Sequence, residues 1–409
     1  MRTGPDNAFH LTYCSNIHPG NGWPEVFGNL QKYAPALKSI LSPEAPFGLG
    51  LRLSSKESEA LLQGEEIDRF QAFLKENGLY VFTLNGFPFG AFHRQRVKAG
   101  VFAPDWRTED RVRYTLRLIE ILRSILPEGI EGSISTSPLT YKPWMIANDP
   151  ETWDSIVRHF VRIASALNRV RMETGKVIHL DIEPEPDGLI ENSAETIDFF
   201  QKYLLPMGAP RYAAANRCTT GRAERDLLQY IRLCYDAAHM AVEYEEMESA
   251  LDRLQDAGIQ IGKVQASAAL RATVPDDPEQ LQLLSDRLRP FSESIYLHQV
   301  IERTSKGVVQ RYADLSDLFP IGPSADPREW RIHFHLPLFL PDAGPLHSTR
   351  KETAQLLRLL AKRKFTSHIE IETYTWELLP PGLKRNLVES IAEEYRWVLD
   401  QMNDSTHLR

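Results

Sequence analysis

The stretch VIHLDIEPEP (residues 177–186) decides the fold prediction, because an apolar run typical of a buried strand ends there in acidic residues. Three other stretches have the same form: IRLCYDAAH (231–239), RIHFHLPLF (331–339) and HIEIETYTW (368–376). In a parallel α/β fold the carboxyl ends of the strands meet at one face, so the side chains that follow the strands converge there. We therefore predict one shared site that contains Glu183, Asp236, His335 and Glu372.

Strand-like and helix-like stretches alternate along the chain. The first pair is FHLTYCSNIHPG (9–20) and the amphipathic stretch PEVFGNLQKYAPALKSIL (24–41). Six such repeats in succession predict a mostly parallel sheet and favour a closed eight-stranded (β/α)8 barrel, the TIM barrel, over an open sheet. We expect a single domain that spans residues 1–409.

The late part of the chain contains more strand-like stretches than a barrel requires. We predict that SIYLHQVIE (294–302) and GVVQRYADL (307–315) form an inserted β-hairpin. Two stretches remain for the seventh barrel strand, KVQASAALR (263–271) and RIHFHLPLF. They are either alternatives for this strand or neighbouring strands. The predicted insertions lie at about residues 206–224 and 272–329, and a closing helix is predicted at about 381–402.

Composition excludes several classes of protein. The net charge of −8 argues against a nucleic-acid surface, which needs clustered Lys and Arg. No apolar run approaches the roughly 18 residues of a membrane helix, so we expect no membrane insertion. The sequence contains neither a disulfide framework nor a zinc ribbon, because its three cysteines are far apart (Cys14, Cys218 and Cys234). These features favour a cytoplasmic protein.

Three carboxylates and an imidazole at converging strand ends suit a divalent cation that keeps open positions for an oxygen-rich ligand. The second choices as ligands are Glu185, His333 and His298. Other interpretations remain open. The alternation of His179, Asp181 and Glu183 is also typical of a solvated face in an antiparallel sheet. Asp236 can instead cap a helix, and His298 can be a structural histidine.

Polar residues near the ends of other strands are candidates for substrate binding. Asn16, His18 and Asn85 follow the first and third strand candidates, where barrel enzymes place such groups, although Asn also forms turns. Trp376 can stack on a ring or pack in the core, and Arg271 can bind an anion or lie on the surface. No serine-hydrolase elbow, phosphate loop or dinucleotide fingerprint is present in the sequence.

Ten motifs in order resemble the EboE family of metabolite traffic proteins: TYCSNIHPG, LYVFTLNGFPFG, PDWR, EGSISTSP, HLDIEPEP, CYDAAH, KVQASAALR, YLHQV, HFHLPLF and ETYTW. The likeness extends from about residue 9 to 380. It implies a TIM barrel of the xylose isomerase-like group, which includes sugar-phosphate isomerases and epimerases. It also implies a bacterial gene cluster that makes or moves a secondary metabolite, whose other proteins are possible partners.

The resemblance also implies a ligand set of Glu, Asp, His and Glu on the last four strands. Glu183 or Glu185 matches the first ligand, Asp236 the second and Glu372 the last, and His239 matches a substrate-contacting histidine three residues after the aspartate. The third position is ambiguous. Counting forward from Asp236 leads to Gln265, whereas counting back from Glu372 leads to HFHLPLF. We favour His335, with His333 second, because alternate residues share one face of a strand.

The leading hypothesis is a metal-dependent isomerase or epimerase that acts on a sugar-like or cyclitol-like metabolite with Mn, Mg, Co or Zn. Glu183 and Glu372 would act as ligands and base, and His239 would hold a substrate hydroxyl; Gln265 is a further substrate-binding candidate. Two alternatives remain. One is a metal-dependent phosphoesterase, for which spare histidines could bind additional ions. The other is a non-catalytic metabolite carrier, which the glutamine at the expected histidine position keeps open.

Overall fold

The computed structural model describes residues 1–93, 96–145, 149–322, 326–340, 342 and 345–404. In these ranges the strands are β1 (Arg2–Thr3), β2 (Phe9–Tyr13), β3 (Phe47–Arg52), β4 (Leu79–Asn85), β5 (Gly132–Thr136), β6 (Ile178–Ile182), β7 (Ile231–Asp236), β8 (Ile261–Ala266), β9 (Leu270–Val274), β10 (Val300–Thr304), β11 (Val309–Tyr312), β12 (Arg328–Ile332), β13 (Leu346–Ser348) and β14 (His368–Ile371).

The α-helices of the same ranges are α1 (Trp23–Leu41), α2 (Ser55–Leu61), α3 (Glu66–Glu76), α4 (Glu109–Ile125), α5 (Pro150–Thr174), α6 (Ser193–Asp198), α7 (Leu205–Asn216), α8 (Thr220–Tyr230), α9 (Ala237–Val242), α10 (Met247–Asp256), α11 (Pro278–Leu288), α12 (Arg350–Arg363) and α13 (Leu387–Asp404). Helix α5 illustrates how the sequence sets helix ends. The Asp149 carboxylate caps its first turn, and Gly175 ends it in the left-handed conformation at φ 74°.

Eight parallel strands form a barrel in the order β2-β14-β8-β7-β6-β5-β4-β3. The two ends of this sheet meet where Cys14, just after β2, pairs with Gly50 of β3. The Thr12 hydroxyl adds a 3.0 Å hydrogen bond to the Gly48 carbonyl oxygen across the same junction. Strand β1 pairs antiparallel with the start of β2. The predicted α/β barrel is therefore confirmed.

The predicted hairpin is also confirmed, as β10 and β11, but it belongs to a larger inserted sheet. This second sheet is antiparallel and has the order β11-β10-β12-β9-β13. KVQASAALR supplies the seventh barrel strand, β8, and the start of β9. The prediction of a strand through HFHLPLF is wrong: β12 ends at Ile332 and lies in the second sheet, so His333 and His335 follow the strand.

Two other sequence expectations differ in detail from the structure. The polar insertion at about 206–224 is helical, because it contains nearly all of α7 and the first part of α8. The closing helix begins at Leu387, and the expected start at residue 381 is occupied by a short 3-10 turn, Pro381–Leu383. Within the described ranges, no helix combines the length and the apolar character that a membrane crossing requires.

The interior of the barrel contains a buried ion pair. The Lys263 ammonium of β8 lies 2.5 Å from the Glu370 carboxylate of β14, and both side chains are fully buried. The same ammonium donates a 3.2 Å hydrogen bond to the Thr83 hydroxyl on β4. Burial of either charge alone would be costly, so the pair must stay together. It needs space that Gly50 provides, since a Cβ atom there would be 1.9 Å from Glu370 Oε1.

We expect the substitution Gly50→Ala to lower the free energy of unfolding by at least about 1–3 kcal/mol, because the added methyl group overlaps a carboxylate that cannot move without breaking its ion pair. Gly28→Ala is the matched control. A Cβ atom at Gly28 in α1 meets nothing within 4 Å, so this change should be neutral or stabilise by about 0.5–1 kcal/mol. Urea unfolding measures both. Equal stability of the two variants would contradict the close approach at Gly50.

Candidate metal centre

Three overlapping groups of potential ligands lie at the carboxyl ends of the barrel strands. Within each group, one donor atom per residue lies within 4.8 Å of the others. The groups are Glu183, Asp236 and His239; Asp236, His335 and Glu372; and His239, His333 and His335. All six side chains are buried. We call these six residues the donor cluster.

The four residues that the sequence analysis placed in one site fall in two groups that share Asp236: Glu183 belongs to one group, and His335 and Glu372 belong to the other. Glu183 and Glu372 directly follow β6 and β14, and Asp236 ends β7. His335 reaches the same point from the inserted sheet, which the sequence analysis did not anticipate. Convergence at the barrel mouth explains the three carboxylates. The imidazole depends on how the insertion folds back over the barrel.

Asp236 both caps a helix and belongs to the donor cluster. Its Oδ1 atom accepts hydrogen bonds from the Ala238 and His239 backbone N–H groups at 2.8 and 3.0 Å and from the Ser267 hydroxyl at 2.7 Å. Its Oδ2 atom has no hydrogen-bond partner among the described residues. The capping interpretation is thus correct for one oxygen, and the other oxygen remains available to a ligand.

Buried polar atoms without partners mark the centre of the donor cluster. Besides Asp236 Oδ2, these are Glu183 Oε2 and His335 Nε2, for which the described part of the chain offers no hydrogen bond. An unsatisfied buried polar group costs about 1–3 kcal/mol, and more when it is charged. A divalent cation bound by either group that contains Asp236 would engage such unpaired atoms. The residues therefore fit a metal ion of the type that carboxylate and imidazole ligands hold.

Hydrogen bonds determine which ring nitrogen each histidine presents. His335 Nδ1 lies 2.9 Å from the Glu372 carbonyl oxygen, and His239 Nδ1 lies 3.0 Å from the Pro184 carbonyl oxygen. A carbonyl oxygen can only accept, so both Nδ1 atoms carry a proton. The Nε2 atom of each neutral ring then offers a lone pair, which is the form that binds metal ions.

His333 is held in the same tautomer through Gln299. The Gln299 side-chain nitrogen donates to the Pro186 carbonyl oxygen at 2.8 Å, so its amide oxygen faces His333 Nδ1, also at 2.8 Å. His333 Nε2 then lies 3.0 Å from His239 Nε2. Two lone pairs cannot face each other at this distance without repulsion, so the pair requires a shared proton or a cation. The sequence analysis missed Gln299, although it is adjacent to His298 in YLHQV.

The carboxylates of the cluster repel one another and are shielded from water. Burial raises the pKa of Glu372 to about 8, with further contributions from Asp236 and Glu370. Burial also raises the pKa of Glu183 well above its ordinary value, and Glu372 and Asp236 add to this rise. For Asp236, burial is outweighed by His239 and His335, and the pKa is lowered. A bound cation would relieve this repulsion.

Asn16 follows β2 and Asn85 ends β4, near the strand ends that the sequence analysis expected. Their partner is Glu372, one of the predicted metal-binding residues. Their side-chain nitrogens donate to Glu372 Oε1 at 2.8 and 2.9 Å. Both residues also line the cleft above the donor cluster. They therefore fix the orientation of Glu372 and leave its other oxygen, Oε2, directed away from these two bonds.

Gln265 and Glu185 lie close to the donor cluster. Gln265 pairs in register with Asp236 and Glu370, and its side-chain oxygen accepts a 3.2 Å hydrogen bond from the Cys234 thiol. It occupies the barrel position where the resemblance implied a histidine, while His335 supplies the imidazole from outside the barrel. Glu185 Oε1 lies 3.5 Å from His333 Nδ1.

Four other candidates lie outside the donor cluster. Both ring nitrogens of His298 are engaged, at 2.8 Å from the His333 carbonyl oxygen and 2.8 Å from Glu293 Oε1, which fits the structural alternative. His18 is bonded to the Tyr13 hydroxyl and stacked on Tyr33. Trp376 packs in the main core. Arg271 lies on β9 in the second sheet, 3.9 Å from Glu329.

No protein-family model matches the sequence, and no curated protein matches it significantly. Solved structures that are similar to the chain include a D-tagatose 3-epimerase-like protein, with a TM-score of 0.49, 10% identity, and 97% of this chain and 99% of that chain covered. An IolI protein with a bound zinc atom has a TM-score of 0.46 at 10% identity, with 98% and 100% covered. A xylose isomerase domain protein from Planctomyces limnophilus has a TM-score of 0.45 at 11% identity, with 98% and 96% covered. Each TM-score is below 0.5, so nothing further about this chain follows from these similarities.

We expect Mn²⁺ or Zn²⁺ to raise the melting temperature of the metal-free protein, because a ligand that binds only the folded state stabilises it by about 2.7 kcal/mol at about 100 times its Kd. Asp236→Asn should abolish this rise, since asparagine can still cap α9 but removes the charge at Oδ2. Asp226→Asn is the control: Asp226 is buried in α8 and pairs with Arg222. This variant should keep the full rise. Calorimetric melting with and without chelator provides the measurement, and an equal rise in both variants would exclude the donor cluster as the metal site.

Proposed function

We propose that this protein is a divalent-metal-dependent isomerase or epimerase that acts on a sugar-like or cyclitol-like metabolite. The observation that carries the proposal is the convergence of Glu183, Asp236, His335 and Glu372, three of which have a buried donor atom without a protein partner. A cation held by two to four ligands on one side keeps positions open for substrate oxygens. The cleft lined by Glu183 and Glu372 would give a substrate access to those positions.

The metal ion would supply polarisation of two adjacent substrate oxygens, which makes a neighbouring C–H bond more acidic. The residues of the chain would do the rest. Glu183, whose pKa is raised by burial and by neighbouring carboxylates, would accept the proton from carbon. His239 has its Nδ1 proton bound to the Pro184 carbonyl oxygen, so its Nε2 atom would accept a hydrogen bond from a substrate hydroxyl in place of the proton shared with His333. Asn16 and Asn85 would hold Glu372 in a single orientation.

A second candidate function is the hydrolysis of a phosphate ester, and the histidine pair favours it. The 3.0 Å separation of His239 Nε2 and His333 Nε2, both presented as lone pairs, would suit a second cation beside the first. Two cations a few ångströms apart stabilise the attacking and leaving oxygens of a phosphoryl transfer. The two functions therefore differ in the number of metal ions bound.

The resemblance to EboE proteins supports a role for this protein in the production or traffic of a secondary metabolite. On this proposal the protein acts in the cytoplasm, and its partners are other proteins from the same gene cluster. A metabolite carrier with the same fold would bind the compound without turnover. Exchange of substrate hydrogen with solvent separates the carrier from an enzyme that acts through proton abstraction.

The proposed isomerase should exchange carbon-bound hydrogen for deuterium when the metal-loaded protein is incubated in heavy water with a panel of free ketoses, aldoses and keto-cyclitols. Proton abstraction next to a carbonyl group allows this exchange before the proton returns. Proton NMR detects the loss of the C–H signal. Glu372→Gln should reduce the exchange rate by about 100-fold or more, since it keeps the hydrogen bonds from Asn16 and Asn85 but removes a charge.

Glu377→Gln is the matched control, because Glu377 is exposed and lies outside the donor cluster. It should leave exchange unchanged. A parallel assay uses p-nitrophenyl phosphate and measures the metal content per chain. Phosphate release with two ions bound and no exchange would select the phosphoesterase. Binding of a panel compound without exchange, isomer formation or phosphate release would select the carrier.

A further inference from the structure

The cleft above the donor cluster has two chemically different parts. Its base is formed by polar and acidic residues, among them Glu183, Glu372 and His333. Its wall is formed by apolar and aromatic side chains, namely Phe87, Phe92, Val97, Val101, Tyr296 and Leu297. The cleft therefore combines hydrogen-bonding groups with an apolar lining.

The wall comes from two chain segments outside the barrel strands. One follows β4 and the other precedes β10. They are joined by hydrogen bonds from the Val97 and Lys98 backbone N–H groups to the Ile295 carbonyl oxygen, at 2.7 and 2.9 Å. The two segments therefore form one continuous surface above the donor cluster.

The side chains of the wall pack into two small clusters that are separate from the main core. In one cluster, the Phe92 ring centroid lies 4.8 Å from that of Tyr296 and 5.2 Å from that of Tyr374. In the other, the ring of Phe87 lies 5.8 Å from that of Phe102. Mutual packing fixes these rings in place. Their faces that line the cleft remain available to a ligand, which would find a preorganised apolar surface.

The described residues of the wall do not offer a free positive charge to a ligand. Among its described lining residues the cation is Lys98, whose ammonium lies 2.6 Å from Asp314 Oδ2 and 3.1 Å from the Glu293 carbonyl oxygen. Its charge is thus paired with Asp314, and its bond to Glu293 joins the two segments. The described part of the wall therefore favours an uncharged group, because burial of an unpaired phosphate or carboxylate would be costly.

We infer that the substrate is an amphipathic compound, with an oxygen-bearing head that reaches the donor cluster and a compact apolar or aromatic substituent that lies against the wall. This inference rests on the proposed metal site and specifies its substrate class. The geometry favours a substituent within a few bonds of the head, because Tyr374 belongs to both parts: its hydroxyl lies 3.4 Å from His333 Nε2 and its ring packs on Phe92.

The test compares two probes that share one metal-binding head, acetohydroxamate and benzohydroxamate. Isothermal titration calorimetry with the Mn²⁺-loaded protein measures the Kd of each. We expect benzohydroxamate to bind at least about tenfold more tightly, because its ring buries apolar area that a methyl group cannot. Leu297→Asn should reduce this preference to about twofold or less, since it places an amide on the wall. Leu383→Asn, at an equally half-buried leucine outside the cleft, should preserve it.

The outcomes separate the inference from the proposed function. Equal affinity for the two hydroxamates, or a preference that survives Leu297→Asn, overturns the amphipathic substrate and leaves the metal site standing. Failure of both probes to bind a protein that does bind Mn²⁺ also overturns it, because head and wall are then not accessible together. Failure of Mn²⁺ itself to bind overturns the proposed function instead. A tenfold preference that Leu297→Asn removes and Leu383→Asn retains supports the inference.

Discussion

The burial of acidic side chains inside a closed barrel is the constraint on which the rest of this structure depends. A carboxylate removed from water must be paired, hydrogen-bonded or bound to a cation. Deep in the barrel, Lys263 neutralises Glu370, and Gly50 leaves the space that the pair requires. Nearer the mouth, amide and backbone N–H groups satisfy one oxygen each of Glu372 and Asp236. What remains unpaired is a set of donor atoms that face one another.

The inserted sheet completes this arrangement. His333 and His335 follow its strand β12 and lie at the barrel mouth. Gln299, which directly precedes its strand β10, accepts a hydrogen bond from His333 and so orients the ring. In each of the histidines at the site, a hydrogen bond at Nδ1 leaves Nε2 as the available atom. The segments that carry the apolar wall lie next to the same sheet. The barrel and the helix after β7 thus contribute the carboxylates and His239, whereas the additions to the barrel contribute His333, His335 and an apolar surface.

Asp236 shows how one residue meets two structural needs. Its Oδ1 atom stabilises the first turn of α9, where the helix dipole favours a negative charge. Burial raises the pKa of Asp236, but His239, His335 and then the hydrogen bonds at Oδ1 outweigh it and lower the pKa, whereas the pKa values of Glu183 and Glu372 are raised by burial. Charge is therefore unevenly distributed over the cluster. The carboxyl group that caps the helix keeps its negative charge most readily.

The sequence by itself determined the barrel and most of the acidic residues of the site. Alternating strand and helix patterns are local signals, and the end of a parallel strand is a known position at the barrel mouth, so Glu183, Asp236 and Glu372 could be assigned from their places in the chain. Only the tertiary structure decided the source of the imidazole. His335 lies after a strand of the inserted sheet, and its approach to Glu372 depends on long-range packing that no local pattern encodes. The same reason explains why His298, His18 and Arg271 could not be separated from true neighbours of the site: residue type and strand position were suitable, but the partners that engage them come from distant parts of the chain.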